Sequence, residues 1–589
     1  MKIKFTILTG CMIIALVFSF SCNREIPQPL YEPSAGPFFK ISKSGKVQAQ
    51  IIVSAESTYL EDFAASELQK YFEKISGVQL PIIKEGDSGK YPFSFFLGNT
   101  KKAAEARIQP NEEKMGRDGF ELKSIKKGLV IQGINDLGTV FGVYELLERY
   151  FDVRWFMPGE EYYPRNTTLK IGQINLIYKP SFTVRWVGRD EWALRHRMNS
   201  YVNAGGRDVG IIWKWGYHTY GRLLPPEKYY ADHPEYFSLV NGKRMVFTDP
   251  RYQGNQLCTT NPDVIREVAR NLIDTLDANP DIEIISLSPD DNRRFCECEN
   301  CRALDEPGRD FFGERSNRFA IFHDEVAKIV KRERPNVFIK LGAYEMYLRP
   351  PLSEDYKPSD NQIIQVCHLW GGCHNHPLGS DMCKAGETYE PKDKFLPNQE
   401  FEKILDQWLE LSPHVFIYEY YTIGGMSRAN LPWPLVHTIR TDIPFYRDKG
   451  VEGFYTQLSD DLFYRHGLNY YLAAKLTWNA DLNVDALLND YFEKFYGPAA
   501  VPAKDYFMTM EKSMQDWNKC VSYGIQGVSG LKVVGPKIFT PSVMERMEQS
   551  LASSERLSTD DETVSRRVAM IRKMFDETEE ALKKIELEE

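Results

Sequence analysis

Residues 282–291, IEIISLSPDD, form a short apolar run that breaks at a proline and delivers two adjacent carboxylates. Such a run, bounded by turn residues, reads as a buried strand. Seven similar runs flank it: FTVRWVG at 182–188, VGIIWKW at 209–215, EYFSLV at 235–240, NVFIKLGA at 336–343, QIIQVCHL at 362–369, HVFIY at 414–418 and VEGFYTQ at 451–457. Helical patterns at 262–279, 316–334, 400–411, 433–449 and 466–478 lie between or after them. Strand and helix alternating in this way predict a (β/α)8 TIM barrel over residues 176–480. The second and third of these strands are the least regular.

Outside the barrel the pattern changes. Residues 45–175 carry the strands VQAQIIVS, FSFFLG, GFELKSI and GLVIQGI with helices at 59–75 and 139–150, a small N-terminal α/β domain. Beyond residue 480 the periodic segments 484–496, 503–520, 541–557 and 562–585 predict a C-terminal helical domain over 481–589. An apolar fraction of 42% with 26% charged residues excludes collagen, coiled-coil and disordered chains. The net charge of −9, without a long basic run, argues against a nucleic-acid partner.

Residues 1–21 read as a lipoprotein signal peptide: Lys2 and Lys4 precede an apolar stretch at 12–20 that is too short to span a bilayer. Ser19, Phe20, Ser21 and Cys22 form a degenerate lipobox, with Cys22 the lipidation site. Loss of the two lysines takes the charge from −9 to −11. Residues 22–44, with Pro27, Pro29, Pro33 and Pro37, suit a flexible tether. The expected location is exported and lipid-anchored to the outer membrane, at the cell surface or the periplasmic face.

Barrel chemistry gathers where strands end. Asp290 and Asp291 follow the fourth predicted strand, and adjacent carboxylates favour one raised pKa and hence a general acid. Asp and Asn also serve as helix caps and turn formers, which is the competing explanation for the pair. Glu419, followed by Tyr420 and Tyr421, ends the seventh strand; it is a second acid/base candidate or a buried Glu with a basic partner. Tyr344 and Glu345, Trp370, His376 and Gln457 add polar and aromatic groups at other strand ends, a combination suited to sugar hydroxyls and C–H faces. Phosphate loops, H-E-x-x-H and G-x-S-x-G are absent, so nucleotide, zinc-protease and serine-hydrolase chemistries are disfavoured.

Among ten cysteines, Cys296, Cys298 and Cys301 form a C-x-C-x-x-C run just past the Asp pair. With Cys258 as a fourth sulfur they suit structural zinc, against which an exported location sets disulfides. A bridge between Cys373 and Cys383 would staple the loop after the sixth strand. Acid/base chemistry on a glycosidic bond requires no cofactor.

Several motifs have a familiar form. NDLGTVFGVYELLERYFDVRWFMPGEEYY at 135–163 and AASELQKYFEKISGVQLPII at 64–83 resemble the small α/β domain preceding the barrel in β-hexosaminidases and α-glucuronidases. QLCTTNPDV, SLSPDDNRRFCECENC, AYEMYLRPP, GGCHNHPLG, YEYY and NLPWPL are similar to an exported bacterial family that includes the glycoside hydrolase family 163 endo-β-N-acetylglucosaminidases. The resemblance spans residues 45–500, and the stretch from Asp291 to Cys301 is its most specific part. In that family the Asp290 position is often Asn and the Glu419 position often Asp, which favours Asp291 as the acid.

The resemblance implies cleavage of the GlcNAc-β-1,4-GlcNAc core of complex N-glycans with retention, the substrate acetamide acting as nucleophile. One carboxylate would orient the acetamide N–H and its neighbour would protonate the leaving oxygen. Tyr344, Trp370, Tyr420 and Tyr421 would shape the pocket, and Gln457 would bond a hydroxyl or the acetamide. An α-glucuronidase-like exo-hydrolase would instead need cations such as Arg189, Arg195 and Arg197 for the sugar carboxylate. A non-catalytic glycan-binding lipoprotein would need only the aromatic groups.

Overall fold

The computed structural model describes residues 29–87, 89–247, 254–368, 372–383, 395–421, 430–457, 460–521 and 534–587; the leader and Cys22 lie outside the described residues. Near the N-terminus six strands, β1 (Ala49–Val53), β2 (Ile82–Lys84), β3 (Phe93–Leu97), β4 (Phe120–Ile125), β5 (Gly128–Gly133) and β6 (Asn175–Tyr178), pair in the order β6–β4–β5–β3–β1–β2. Helices α1 (Tyr59–Ser76) and α2 (Asp136–Phe151) pack together on this sheet. A capping box sets the start of α1: the Thr58 hydroxyl accepts from Glu61 N–H, and the Glu61 carboxylate accepts from Thr58 N–H. The helix stops at Gly77, whose φ of 72° costs little without a Cβ.

Seven parallel strands follow: β7 (Val184–Trp186), β8 (Trp213–Lys214), β9 (Ile284–Ser286), β10 (Phe338–Ala343), β11 (Gln362–Cys367), β12 (Val415–Glu419) and β13 (Gly453–Thr456). They pair in the order β7–β13–β12–β11–β10–β9–β8, a curled sheet of the TIM-barrel type. Between its two edges runs the irregular segment 199–200. Asn199 Oδ1 accepts from Arg185 N–H at 2.8 Å, Asn199 O accepts from Ile211 N–H at 2.7 Å, and Ser200 bridges Ile211 in parallel. Inside, Trp186 and Trp213 meet edge-on across the same seam, with ring centroids 5.5 Å apart.

This arrangement corrects which segments form the second and third staves. The run 209–215 supplies the stave after 199–200, so it is third rather than second around the barrel. EYFSLV leaves the barrel altogether: Leu239–Val240 pairs antiparallel with Lys243–Arg244 across Asn241 (φ 50°) and Gly242 (φ 75°). An Asn-Gly pair with both φ positive is the type I′ hairpin turn, and it returns the chain locally instead of through a helix.

Helices α3 (Pro262–Ala278), α4 (Ser316–Glu333), α5 (Asn398–Leu411), α6 (Val436–Lys449) and α7 (Phe463–Trp478) surround the strands. Four more, α8 (Val484–Tyr496), α9 (Ala500–Gln515), α10 (Pro541–Ser558) and α11 (Glu562–Leu587), form a C-terminal bundle against α6 and α7. Among the described residues no helix is long and apolar enough to cross a membrane.

Buried charges lock these parts together. Glu148 on α2 bonds both Arg197 and Lys475, all three being at most 2% exposed, and Arg197 reaches Glu145 at 2.9 Å. Arg154 grips Asp490 of α8 in a two-pronged contact at 2.6 and 2.9 Å, and Arg567 of α11 meets Glu160 at 2.8 Å. The surrounding cations hold the Glu148 carboxyl well below the usual carboxylate range despite its burial. Its contribution is therefore present above that range and fades on acidification. Glu148→Gln should cost roughly 3–5 kcal/mol by stranding buried Lys475 and leaving Arg197 with Glu145 alone, read as a lower urea midpoint at pH 7. The deficit relative to wild type should shrink as the pH falls through the carboxylate range.

Candidate active site

Strand side chains alternate in direction, so position along each stave decides what reaches the barrel mouth. On β12, Phe416 packs inside with Trp213 and Ile284, whereas Val415 and Ile417 join the layer shared with the outer helices. Tyr418 points inward, its ring centroid 4.9 Å from Tyr217 and 4.5 Å from Tyr455, and Tyr420 continues that inner row 4.8 Å from Tyr418. Glu419 and Tyr421 have the opposite parity.

Glu419 is fully buried on the outer side. It accepts from the Tyr446 hydroxyl of α6, from His368 Nδ1 at 2.9 Å and from Tyr420 N–H at 3.2 Å. His368 in turn stacks on Phe401 of α5, with ring centroids 4.5 Å apart. Tyr421 likewise turns away, its ring 6.0 Å from outward-facing Phe454. Both residues, expected at the mouth, instead stitch the sheet to its helices. Glu419 needs no Lys or Arg partner: a phenol and an imidazole satisfy it.

Asp290 and Asp291 occupy the mouth beyond β9. Asp290 is 5% exposed; its Oδ2 accepts from Asn255 N–H at 2.7 Å and Gly221 N–H at 3.0 Å, while its Oδ1 is buried with no protein partner. Gln256 Nε2 donates to Asp290 O at 2.6 Å and Asn292 O at 2.9 Å, fixing the turn from the other side. Gly254, at φ +74°, leaves space that a Cβ would close to 2.0 Å from Asp290 Oδ2. Desolvation raises the Asp290 carboxyl above its ordinary range, against the opposing pull of the backbone donors. Asp291, one residue on, is exposed. The pair thus combines a locked, buried carboxyl with a solvent-facing one.

Inner-row residues cluster inside the barrel. Tyr217 donates to Gln365 Oε1, and Tyr418 lies within hydrogen-bond reach of Gln457 and Tyr455. Lys340 is fully buried, donating to Gly216 O at 2.6 Å with its Nζ 3.4 Å from the Tyr217 ring centre; burial holds its amine well below the usual range. Tyr344 follows β10, and its phenol is pushed up by burial, then by Glu345 and Asp291. Glu345 itself is clamped by Arg293 at 2.8 and 2.9 Å, so it braces the rim.

Other expected residues lie elsewhere. Trp370 falls outside the described residues. His376 is buried among cysteines, Nδ1 3.3 Å from Cys373 Sγ and Nε2 donating to Trp517 O at 2.8 Å. Cys373 is disulfide-bonded to Cys520, not to Cys383, whose sulfur lies 3.3 Å from that of Cys520. The bridge therefore ties the loop after β11 to the C-terminal helices; a partner 147 residues away had no local signal. Cys258, Cys296, Cys298 and Cys301 do converge. Arg197 is consumed by Glu145 and Glu148 and Arg195 by Glu191 at 2.7 Å, leaving exposed Arg189 beside Tyr201.

Residues 155–509 match a family described as a domain of unknown function, DUF4838. The chain belongs to the DUF4838 family. Residues 40–146 match the glycosyl hydrolase family 67 N-terminus. No curated protein sequence matches the chain. Among solved structures, a family GH115 4-O-methyl-α-glucuronidase with specificity for decorated arabinogalactans is 12% identical, with a TM-score of 0.50 over 93% of this chain and 76% of its own. A Streptomyces plicatus N-acetyl-β-hexosaminidase, solved with thio-NAglucal, is 12% identical with a TM-score of 0.45 over 79% and 93% of the two chains. The DUF4838 chain thus has a glycoside hydrolase-type fold.

Tyr217, Lys340, Gln365, Tyr418 and Tyr455 escape a reading of strand ends alone. Gln365 and Tyr418 can be found by stepping in twos from the apolar inward residues Ile363 and Phe416, whereas positive-φ Trp215 breaks the alternation before Tyr217. Two variants test the parity. Glu419→Gln should lower stability by about 1–3 kcal/mol and leave turnover per folded molecule within about threefold. Because burial raises the folded-state pKa of Asp290, its ionisation weakens the fold as pH rises through the window above the unfolded value. Asp290→Asn should therefore keep or raise the urea midpoint at neutral pH and flatten its decline with pH.

Proposed function

We propose that the protein is a retaining endo-β-N-acetylglucosaminidase that cleaves the GlcNAc-β-1,4-GlcNAc core of complex N-glycans. The observation that carries this reading is the carboxylate pair at the mouth of β9. Asp290 presents a buried, unpartnered Oδ1 from a position locked by two backbone donors, a suitable acceptor for the acetamide N–H of a bound sugar. Held there, the acetamide carbonyl attacks C1 and forms an oxazoline, so no protein nucleophile is required. Asp291 protonates the departing glycosidic oxygen and then takes a proton from the water that opens the oxazoline.

The inner tyrosines, with Gln365 and Gln457, supply ring faces and hydrogen-bond groups below the pair. A cleft lined by Trp155, Arg189, Trp192, Arg195 and Phe463 lies at the ends of the first and last barrel strands, room for an oligosaccharide beyond a single sugar. For an α-glucuronidase, the commitment of Arg195 and Arg197 to ion pairs is unfavourable. We further propose export and lipid anchoring through Cys22, with residues 22–44 as tether.

Mass spectrometry of a complex-type glycoprotein after digestion should show one GlcNAc left on asparagine and the remaining glycan released. Asp291→Asn should reduce turnover at least ~100-fold with binding retained, and Asp290→Asn should be milder because an amide oxygen still accepts the acetamide N–H. A thiazoline mimic of the oxazoline should inhibit. Rapid cleavage of a substrate lacking the 2-acetamido group, or an inverted product, would return the nucleophile to the protein. Cys22→Ala should leave the protein soluble; labelled fatty acid entering that variant would refute the anchor.

A further inference from the structure

We infer that Cys258, Cys296, Cys298 and Cys301 form a tetrahedral Zn²⁺ site that clamps the two segments holding Asp290. All four sulfurs lie within 4.8 Å of one another, and Cys258 Sγ is 3.7 Å from Cys298 Sγ and 4.0 Å from Cys301 Sγ. Four Zn–S bonds of about 2.3 Å span a tetrahedron with edges of about 3.8 Å. Disulfides would instead draw the sulfurs together in pairs at about 2.05 Å. None of the four is paired, although the same chain contains a disulfide at Cys373.

The donors around the cluster suit anionic sulfur. Cys296 Sγ accepts from Leu239 N–H at 3.4 Å and from the Arg244 guanidinium at 3.6 Å, and the hydroxyls of Thr260 and Thr259 lie 3.2 and 3.7 Å from Cys301 Sγ. Four thiolates on Zn²⁺ carry two net negative charges, which a guanidinium and oriented N–H and O–H groups stabilise. Each cysteine would bind as thiolate, releasing its proton to solvent.

Placement gives the site a task. Cys258 lies two residues beyond Gln256 and three beyond Asn255, whose side chain and backbone N–H hold Asp290; Cys296 follows the Asp290–Asn292 turn by four residues. The metal would join these two segments. It is a positioning device that acts through Asn255 and Gln256.

Elemental mass spectrometry of the purified full chain should find about one equivalent of zinc. Cys258→Ser and Cys301→Ser should each lose it, whereas Cys383→Ser, in the other cysteine cluster, should keep it. Where the ligand variants fold poorly, wild-type protein titrated with a mercurial should release the same equivalent, and cobalt exchange should give thiolate-to-metal charge-transfer absorption. Chelated wild type should exchange the Asn255 amide at least about tenfold faster while the bulk of the barrel stays protected. Absence of metal, with the sulfurs either free or bridged, overturns the site, as does metal retained in both Cys258→Ser and Cys301→Ser. Unchanged Asn255 exchange after metal removal overturns the clamp. Metal content and exchange are read without activity, so they stand or fall apart from the proposed hydrolysis.

Discussion

The two-residue period of the barrel staves is the constraint on which the rest depends. Once Phe416, Ile363 and Ile284 are committed to the interior by apolar burial, every second residue toward the mouth is committed with them. That parity brings Gln365, Tyr418, Tyr455 and Gln457 into one inner cluster and sends Glu419 and His368 into the helical layer. A strand-end carboxylate is therefore not yet a mouth carboxylate. Its index relative to the inward row must be counted first.

The same constraint explains how two acidic residues came to have different surroundings. Glu419 sits in dry packing with both oxygens hydrogen-bonded, so its polarity is used up in holding α6 and β11 to β12. Asp290 is nearly as buried yet keeps one oxygen without a protein partner, open to a further donor. Glycine at 254 and backbone donors from 221 and 255 make that position tolerable. The chain holds a destabilised carboxyl in place from several separate segments.

Much of this is legible in the sequence, and the exceptions have specific causes. Barrel strands β9 to β13 stand out because they are largely buried, mostly apolar runs between helical periods. EYFSLV looks like a further such run, but the Asn241-Gly242 pair after it is a stronger, local hairpin signal. The true second stave, 199–200, has no strand pattern at all: it works through one asparagine side chain that completes the backbone pairing of Arg185. Likewise the Cys373 partner is not readable from spacing, because sequence proximity favours Cys383 while the fold brings Cys520 from the helical bundle. Composition and period report local preference; seam closure and long-range bridges are properties of the assembled barrel.

Interlocking buried ions also bear on how the mouth is kept in register. Arg197 follows β7 and Lys475 lies near the end of α7, so Glu148 of α2 fixes the first and last elements of the barrel to the N-terminal layer at a single point. Arg185, on β7 itself, donates to Asp118 at 2.7 Å and to Arg197 O at 2.9 Å, extending the same network beneath the Asn199 seam. Few backbone pairs close that seam, and a charge network is stiff because moving any member strands another in low dielectric. Buried charge at this thinly paired junction thus does what a regular eighth strand would do with ladder hydrogen bonds: it fixes the barrel's closure, and with it the distance between the strand-one side of the mouth and the Asp290–Asp291 pair.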